Sequence, residues 1–338
     1  MSDPVPTPEQ AAILAAGSGP VRIDAGAGTG KTWTLVAKIA ALVEAGTAPE
    51  RILGITFTNK AAGELAGRVR AAVSSLVDTG IEVDIHTYHG FAARVLREFG
   101  PFIGVERDAR VITPTFARQL LIESVSETPG LDDLNLTYLP AVLDPLTALA
   151  QSMSDNLVDP TVFLSGTPAD DVERRRAQLA SVVAEYRLEK GRLGVLDYGD
   201  LIARAHELVT TRPEVRDRVA ERYDVVLLDE YQDTDPAQRH LLQQLFGDGR
   251  TVIAVGDPDQ TIYEWRGASI ENFEAFPTHF PTIDGDPAPT LPLSLNRRSG
   301  QLVLDVANAV RAEVGAGTRT PLAAPPGTSS GTVSVAYH

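Results

Sequence analysis

Short apolar runs stand out in two regions of the chain. Val21–Asp24, Ile52–Phe57 and Val83–Ile85 lie in the first; Val225–Leu228, Thr251–Val255 and Leu291–Leu295 lie in the second. Each is rich in Val, Ile or Leu and bounded by Gly, Pro, Asp or Asn, the pattern of a strand buried on both faces. Helical periodicity follows most of them. This alternation predicts an α/β fold with a parallel sheet flanked by helices. Ligands of such sheets bind at the carboxyl ends of the strands. From about 100 to 195 the strand signal fades and helical pattern dominates. The stretch Gly315–Gly331 is rich in Gly, Thr, Ala and Pro and reads as a linker, after which Thr332–Tyr337 alternates like a strand. The expected organisation is a main domain in two segments, 1–100 and 195–314. A mostly helical inserted domain, 101–194, separates them, and 315–338 is a linker leading into further structure.

Composition narrows the class. The 338 residues carry a net charge of −15, with 43% hydrophobic and 22% charged positions, the balance of a globular chain. The chain has no cysteine, which excludes disulfides, thiolate zinc sites and cysteine-held iron–sulfur clusters. The six histidines show no HExxH spacing, which argues against a zinc hydrolase. No basic leader precedes an apolar core and no run of ~18 apolar residues occurs. The expectation is therefore a cytoplasmic protein with no membrane partner. Residues 119–173 contain no Lys or Arg and ten acids, read as a solvated face. Residues 1–100 are near neutral, with nine basic and ten acidic side chains.

The chemistry begins at residues 21–32, Val-Arg-Ile-Asp-Ala-Gly-Ala-Gly-Thr-Gly-Lys-Thr. A strand runs into a glycine-rich turn and then into a helix starting near Lys31, the order a P-loop requires. The loop is formed by Ala25, Gly26, Ala27, Gly28, Thr29 and Gly30. Its glycines leave backbone amides bare around a phosphate. Ala25 occupies the first pattern position, where Gly is usual. Lys31 can reach the β- and γ-phosphates of ATP, and the Thr32 hydroxyl can ligate Mg²⁺. The second half of such a site is an acid after another strand. Val225-Val226-Leu227-Leu228-Asp229-Glu230 supplies it: Asp229 for the Mg²⁺ shell, Glu230 for the attacking water.

Further blocks make a family match specific. Asp229-Glu230-Tyr231-Gln232-Asp233-Thr234 resembles motif II of the UvrD/Rep/PcrA branch of superfamily 1 DNA helicases. The run from Val255 to Ala268, with Gly256-Asp257-Pro258-Asp259-Gln260 and Tyr263-Glu264-Trp265-Arg266, resembles motif III. Ile55–Ala62 resembles motif Ia, Thr87-Tyr88-His89-Gly90 the short block after it, and Leu295-Asn296-Arg297-Arg298-Ser299 motif IV. The resemblance implies a RecA-like P-loop NTPase sheet as the first motor domain, with the helical insertion as the family's first inserted domain. It implies ATP and Mg²⁺ as cofactors and single-stranded DNA as partner. It also implies 3′–5′ translocation in repair or recombination.

Roles carry over by position. Gln10 resembles the glutamine that reads adenine, and Thr7-Pro8-Glu9-Gln10 is equally a helix capping box. Gln260 resembles the γ-phosphate sensor, and Arg298 the arginine that neutralises γ-phosphate charge. Arg297 stands where a tyrosine stacks near the adenine, and a guanidinium can also stack. Tyr263 and Trp265, beside Arg266, resemble a stacking platform for single-stranded DNA. Phe57, Thr58, Asn59 and His89 would line the strand, Thr58 having also a helix-cap reading. Motifs V and VI are not found before His338. The chain is therefore expected to be an N-terminal portion that meets a second motor domain in a longer protein and is near-inactive alone. Two other readings stay open: the helicase part of a RecB/AddA/AdnB-like helicase–nuclease, and a non-catalytic DNA- or partner-binding module that keeps a P-loop.

Overall fold

The computed structural model describes residues 5–76, 82–261, 270–313 and 320–334. Its centre is a six-stranded sheet, parallel throughout, with strands β1 (Val21–Ala25), β2 (Ile52–Thr56), β3 (Asp84–Thr87), β6 (Val225–Leu228), β7 (Thr251–Gly256) and β8 (Thr290–Leu293). The spatial order is β3-β2-β6-β7-β1-β8. All six expected strands are present. The two edge strands are displaced most: β3 starts and ends later than its apolar signal, and β8 starts and ends earlier than its own.

The sheet is covered on both faces, and strand alternation divides the core between them. Val226, Leu228, Val252 and Ala254 join Leu53 and Ile55 on one face. There they pack against α4 (Tyr88–Phe99), α8 (Tyr198–Thr211), α9 (Pro213–Ala220) and α10 (Pro236–Phe246). Val225, Leu227, Ile253 and Val255 join Val21, Ile23 and Ile52 on the other, against α2 (Lys31–Glu44) and α3 (Asn59–Val73). Each fully buried Val, Leu or Ile contributes roughly 1.5–3 kcal/mol, so the central strands hold the sheet's carboxyl edge as a rigid rim.

Helix α1 (Pro8–Ala15) is tied to this frame by α2. The Lys38 ammonium, 3% exposed, donates to Leu14 O (3.0 Å) and Ala16 O (2.6 Å). A cation on the last carbonyls of a helix satisfies groups that lack intrahelical partners.

Between α4 and α8 lie α5 (Pro114–Glu127), α6 (Pro140–Asp155) and α7 (Asp171–Leu193), with apolar clusters of their own around Leu146 and Val183 and around Leu120 and Tyr186. A two-strand parallel pair not anticipated from sequence, β4 (Arg110–Val111) with β5 (Val195–Leu196), brings the two ends of this region together. Two-residue strands are too short to show periodicity. In the last turn of α7 the Lys190 ammonium, 4% exposed, meets Asp197 and Asp200 at 2.6 Å each, stitching α7 to the start of α8.

The short helices α11 (Ile270–Glu274) and α12 (Phe276–His279) precede β8, and α13 (Gln301–Glu313) follows it. Residues 332–334 form no strand, and 335–338 lie outside the described residues. The segment around 320–324, read as linker, is held in place. Asn308 accepts from Leu322 N (3.0 Å) and donates to Leu322 O (2.8 Å), and Gln301 accepts from Ala324 N. Among the described residues no helix is long and apolar enough to cross a membrane.

Candidate active site

Every block singled out in the sequence leaves the sheet at its carboxyl edge. The Gly26–Gly30 loop follows β1, Phe57 follows β2, Tyr88 and His89 follow β3, Asp229 and Glu230 follow β6, Asp257 follows β7, and Asn296 lies just beyond β8. Strand adjacency in a parallel sheet brings these sequence-distant segments together.

The loop has the geometry of an anion cradle. Gly28 has φ +68° and Gly30, which caps α2, has φ +89°. An L side chain is strained at both positions. A Cβ at Gly28 would lie 2.7 Å from Arg298 Cβ, and one at Gly26 would meet the Leu322 side chain. The loop closes on itself through Thr29, whose hydroxyl donates to Gly26 O at 2.8 Å. Its amides lead into the N-terminus of α2, where helix dipole and unpaired N–H groups favour a phosphate. Thr32, the second residue of α2, is half-buried.

Lys31 and Glu230, 199 positions apart, meet at 3.1 Å between Nζ and Oε2. Asp229 is 8% exposed, and its N–H donates to Ile55 O at 2.8 Å, continuing the β6–β2 ladder past the strand end. Burial, and then the like charge of Glu230, push its carboxyl up to about 6 against the opposing pull of Lys31. A carboxylate held in this surplus of negative charge favours a cation beside it. Glu230 itself sits at φ +50°, ψ +42°, a left-handed conformation uncommon outside glycine.

Two residues without an assigned role prove central. Asn296, 2% exposed, donates through Nδ2 to Ala27 O (2.5 Å) and accepts at Oδ1 from the N–H groups of Arg298 and Ser299 (2.8 Å each). It clamps the glycine loop to the strand end after β8. Gln232, 1% exposed, donates to Glu230 Oε2 at 2.9 Å and accepts from Asp257 N at 3.1 Å. The only sequence signal for either is a polar amide inside a motif block; which groups they reach depends on strand adjacency.

The remaining expected residues divide as follows. Arg297 and Arg298 are exposed, and the Arg297 N–H donates to Gly28 O at 2.9 Å, so both guanidiniums extend from backbone pinned at the loop. Gln260 is exposed, and its side-chain amide donates to the buried Asp257 carboxylate. Gln10 forms the capping box: its Oε1 accepts from Thr7 N (3.0 Å) and its N–H donates to Thr7 Oγ1 (3.1 Å). Its Nε2 points at Thr34 and lies 3.2 Å from where a Gly30 Cβ would be, so the capping glutamine also backs the loop. Thr58 caps α3, accepting from Ala61 N at 3.1 Å, with Asn59 exposed beside it. Phe57 is half-buried. His89, its pKa lowered by burial, meets the exposed ring of Tyr198 edge-on at 5.7 Å. Tyr263, Trp265 and Arg266 lie outside the described residues.

The chain resembles known proteins over most of its length. The profile of the UvrD/REP helicase N-terminal domain family matches residues 6–281. Similar curated proteins include the ATP-dependent DNA helicase PcrA of Leuconostoc citreum, 35% identical over 305 residues that cover 89% of this chain and 38% of that protein. The ATP-dependent DNA helicase PcrA of Staphylococcus aureus strain Mu50 is 32% identical over 303 residues, 89% of this chain and 39% of its own length. The ATP-dependent DNA helicase UvrD1 of Mycobacterium bovis is 35% identical over 312 residues, 90% of this chain and 38% of its own. The chain thus spans about two fifths of the length of these relatives. With the profile matched across most of its residues, the chain belongs to the UvrD/REP helicase N-terminal domain family.

Proposed function

We propose that the chain supplies the first nucleotide-binding motor domain of an ATP-dependent DNA helicase or translocase, working 3′–5′ along single-stranded DNA in the cytoplasm. One observation carries the reading. Lys31 at the mouth of a bare-backbone loop and Glu230 at the end of β6 meet at 3.1 Å, beside a buried Asp229. The division proposed is a motor domain of 1–100 and 195–314 around an inserted helical domain of 101–194. The separate apolar clusters of the inserted helices support it.

The residues fit a magnesium nucleotide. The loop is a cradle that side chains at Gly28 or Gly30 would strain, and the hydroxyl and carboxylate oxygens of Thr32 and Asp229 suit a hard cation. These two residues would hold Mg²⁺, which supplies charge neutralisation on the β- and γ-phosphates. The loop amides bind the phosphates, and Gln10, Arg297 and Arg298 border the same loop. Lys31, paired with Glu230 in the structure, turns to the phosphates when ATP binds. Glu230 is then free to orient the attacking water and accept its proton as the terminal phosphate leaves ADP. Gln260 and Arg298 lie on the segments that would sense and neutralise the γ-phosphate. Phe57, Thr58, Asn59 and His89, with Tyr263, Trp265 and Arg266, would form the single-strand path. Stacking on such a platform is worth ~1–3 kcal/mol per base.

The test is titration of a fluorescent ATP analogue with Mg²⁺ into the chain, its Lys31→Ala variant and its Glu230→Gln variant. Saturable binding that Lys31→Ala weakens at least tenfold and Glu230→Gln preserves supports the reading. No saturable binding, or binding indifferent to Lys31, overturns it.

A further inference from the structure

We propose that Gln232 is a positioning residue for Glu230, tying the orientation of that carboxylate to the segment that begins at Asp257. The proposal rests on the reading of Glu230 as the group that handles the attacking water.

Gln232 has both ends of its amide committed. Nε2 donates to Glu230 Oε2 at 2.9 Å and to Asp233 Oδ2 at 3.3 Å, while Oε1 accepts from Asp257 N at 3.1 Å. The orientation is fixed by chemistry, because the flipped amide would set its oxygen against two carboxylates and its NH₂ against an N–H. The residue is 1% exposed, so water cannot replace either contact. A glutamine here does not titrate, and it donates to Glu230 without adding charge.

Glu230 Oε2 receives two donors, Lys31 and Gln232. Lys31 is the one that must leave for the phosphates. Gln232 then remains as the donor that holds the carboxylate plane while Glu230 takes a proton from water. The Glu230 backbone supports this division of labour. At φ +50° it is in a conformation that a non-glycine residue keeps only when its surroundings hold it there.

The same side chain reaches across to β7. A Cβ at Gly256 would lie 2.6 Å from Gln232 Oε1 and 2.6 Å from the Phe273 ring. Glycine at the end of β7 is therefore what lets Gln232 reach the Asp257 amide. Asp257 in turn holds Gln260 through its carboxylate and its carbonyl. The Gln232 amide thus gives the 257–260 segment a direct link to Glu230 that does not pass along the chain.

The experiment compares the chain with its Gln232→Leu and Gln232→Glu variants. It measures the affinity for a fluorescent ATP analogue with Mg²⁺, hydrogen exchange at the Asp257 amide, and the single-turnover hydrolysis of radiolabelled ATP with protein in excess, followed over hours against a protein-free blank so that the slow rate expected of this chain alone is still resolved in the parent. Gln232→Leu is expected to leave affinity within about twofold, because the loop and Lys31 are untouched. Hydrolysis should fall by ~10-fold or more, since misplacement of a reacting group by about 1 Å costs up to ~10²-fold. The Asp257 amide should exchange at least ~10-fold faster, a loss of ~1.4 kcal/mol of protection. Gln232→Glu keeps the size, cannot donate to Glu230 once ionised, and should slow hydrolysis likewise; it decides the question if the leucine variant fails to fold. Unchanged hydrolysis in a folded variant, or affinity falling in step with rate, overturns the proposal for Gln232 alone. A parent chain that binds no Mg–ATP overturns the reading of the whole site, a distinguishable result.

Discussion

Replacing Asn296 by alanine tests whether the glycine loop is held ready for phosphate by the strand end beside it. The side chain makes three hydrogen bonds at a position 2% exposed: one to Ala27 O and two from the Arg298 and Ser299 amides. Each is worth about 0.5–1.5 kcal/mol net. Arg298 is exposed and Ala27 half-buried, so water recovers part of the loss. The expected destabilisation is therefore about 2 kcal/mol. The loop must then be ordered by the nucleotide itself. If ~1.4 kcal/mol of the loss appears in binding, affinity for Mg–ATP falls about tenfold. Asn296→Asp separates the two halves of the clamp. It still accepts from Arg298 and Ser299 but sets an oxygen against the Ala27 carbonyl, so its affinity should fall at least as far. Thermal melting and fluorescent-nucleotide titration, run on the three proteins, read both numbers. An alanine variant that binds nucleotide within twofold of the parent and melts at the same temperature would refute the idea that Asn296 preorganises the loop.

Other outcomes follow from buried charge and from the nucleic-acid reading. Burial, with the nearby Asp155 adding like charge, pushes the Asp235 carboxyl up to about 7. Between pH ~4 and ~7 the unfolded chain releases this proton while the folded one keeps it, so stability falls as pH rises through that window. Asp235→Asn keeps the cap on Gln238 N (2.8 Å) and removes the titration. The variant should gain up to about 4 kcal/mol over the parent above pH 7 and little near pH 4, and parallel denaturation profiles for the two proteins from pH 4.5 to 8 would contradict this. Lys190→Met leaves Asp197 and Asp200 together without their cation at 2.6 Å, and should destabilise the chain by about 3–5 kcal/mol in urea denaturation; a loss under 1 kcal/mol would show the pair is dispensable. A site built on stacking in an acidic chain predicts weak binding to duplex DNA with a shallow salt slope. Fluorescence anisotropy at several salt concentrations checks it, and tight, steeply salt-dependent duplex binding would count against the proposed path.

The central strands β6 and β7 were legible because a strand covered on both faces needs an unbroken apolar run, and Val225–Leu228 or Thr251–Val255 has no other way to be satisfied. The glycine loop and the helix caps at Thr7 and Thr58 were legible for a similar reason: the groups they satisfy lie within a few residues. The edge strand β3 was misplaced in sequence because Asp84 and His86 are polar. Against the cost of burial, the hydrogen bonds with His86 and Tyr223 and the charge of Arg94 hold the Asp84 carboxyl well below its usual pKa, and only the fold brings Tyr223 and Arg94 to this carboxylate in a strand. The same holds for the stretch read as linker: Asn308 and Gln301 on α13 give residues 322 and 324 hydrogen bonds that composition cannot reveal.

At the site, sequence supplied the chemical types and tertiary structure the pairings. That Lys31 meets Glu230 across 199 positions, that Gln232 spans from β6 to β7, and that Asn296 clamps Ala27 all follow from the strand order β2-β6-β7-β1-β8. Local preferences extend over a turn or two of chain and leave that order open. It is decided by which apolar faces bury together, and burial is a property of the whole sheet.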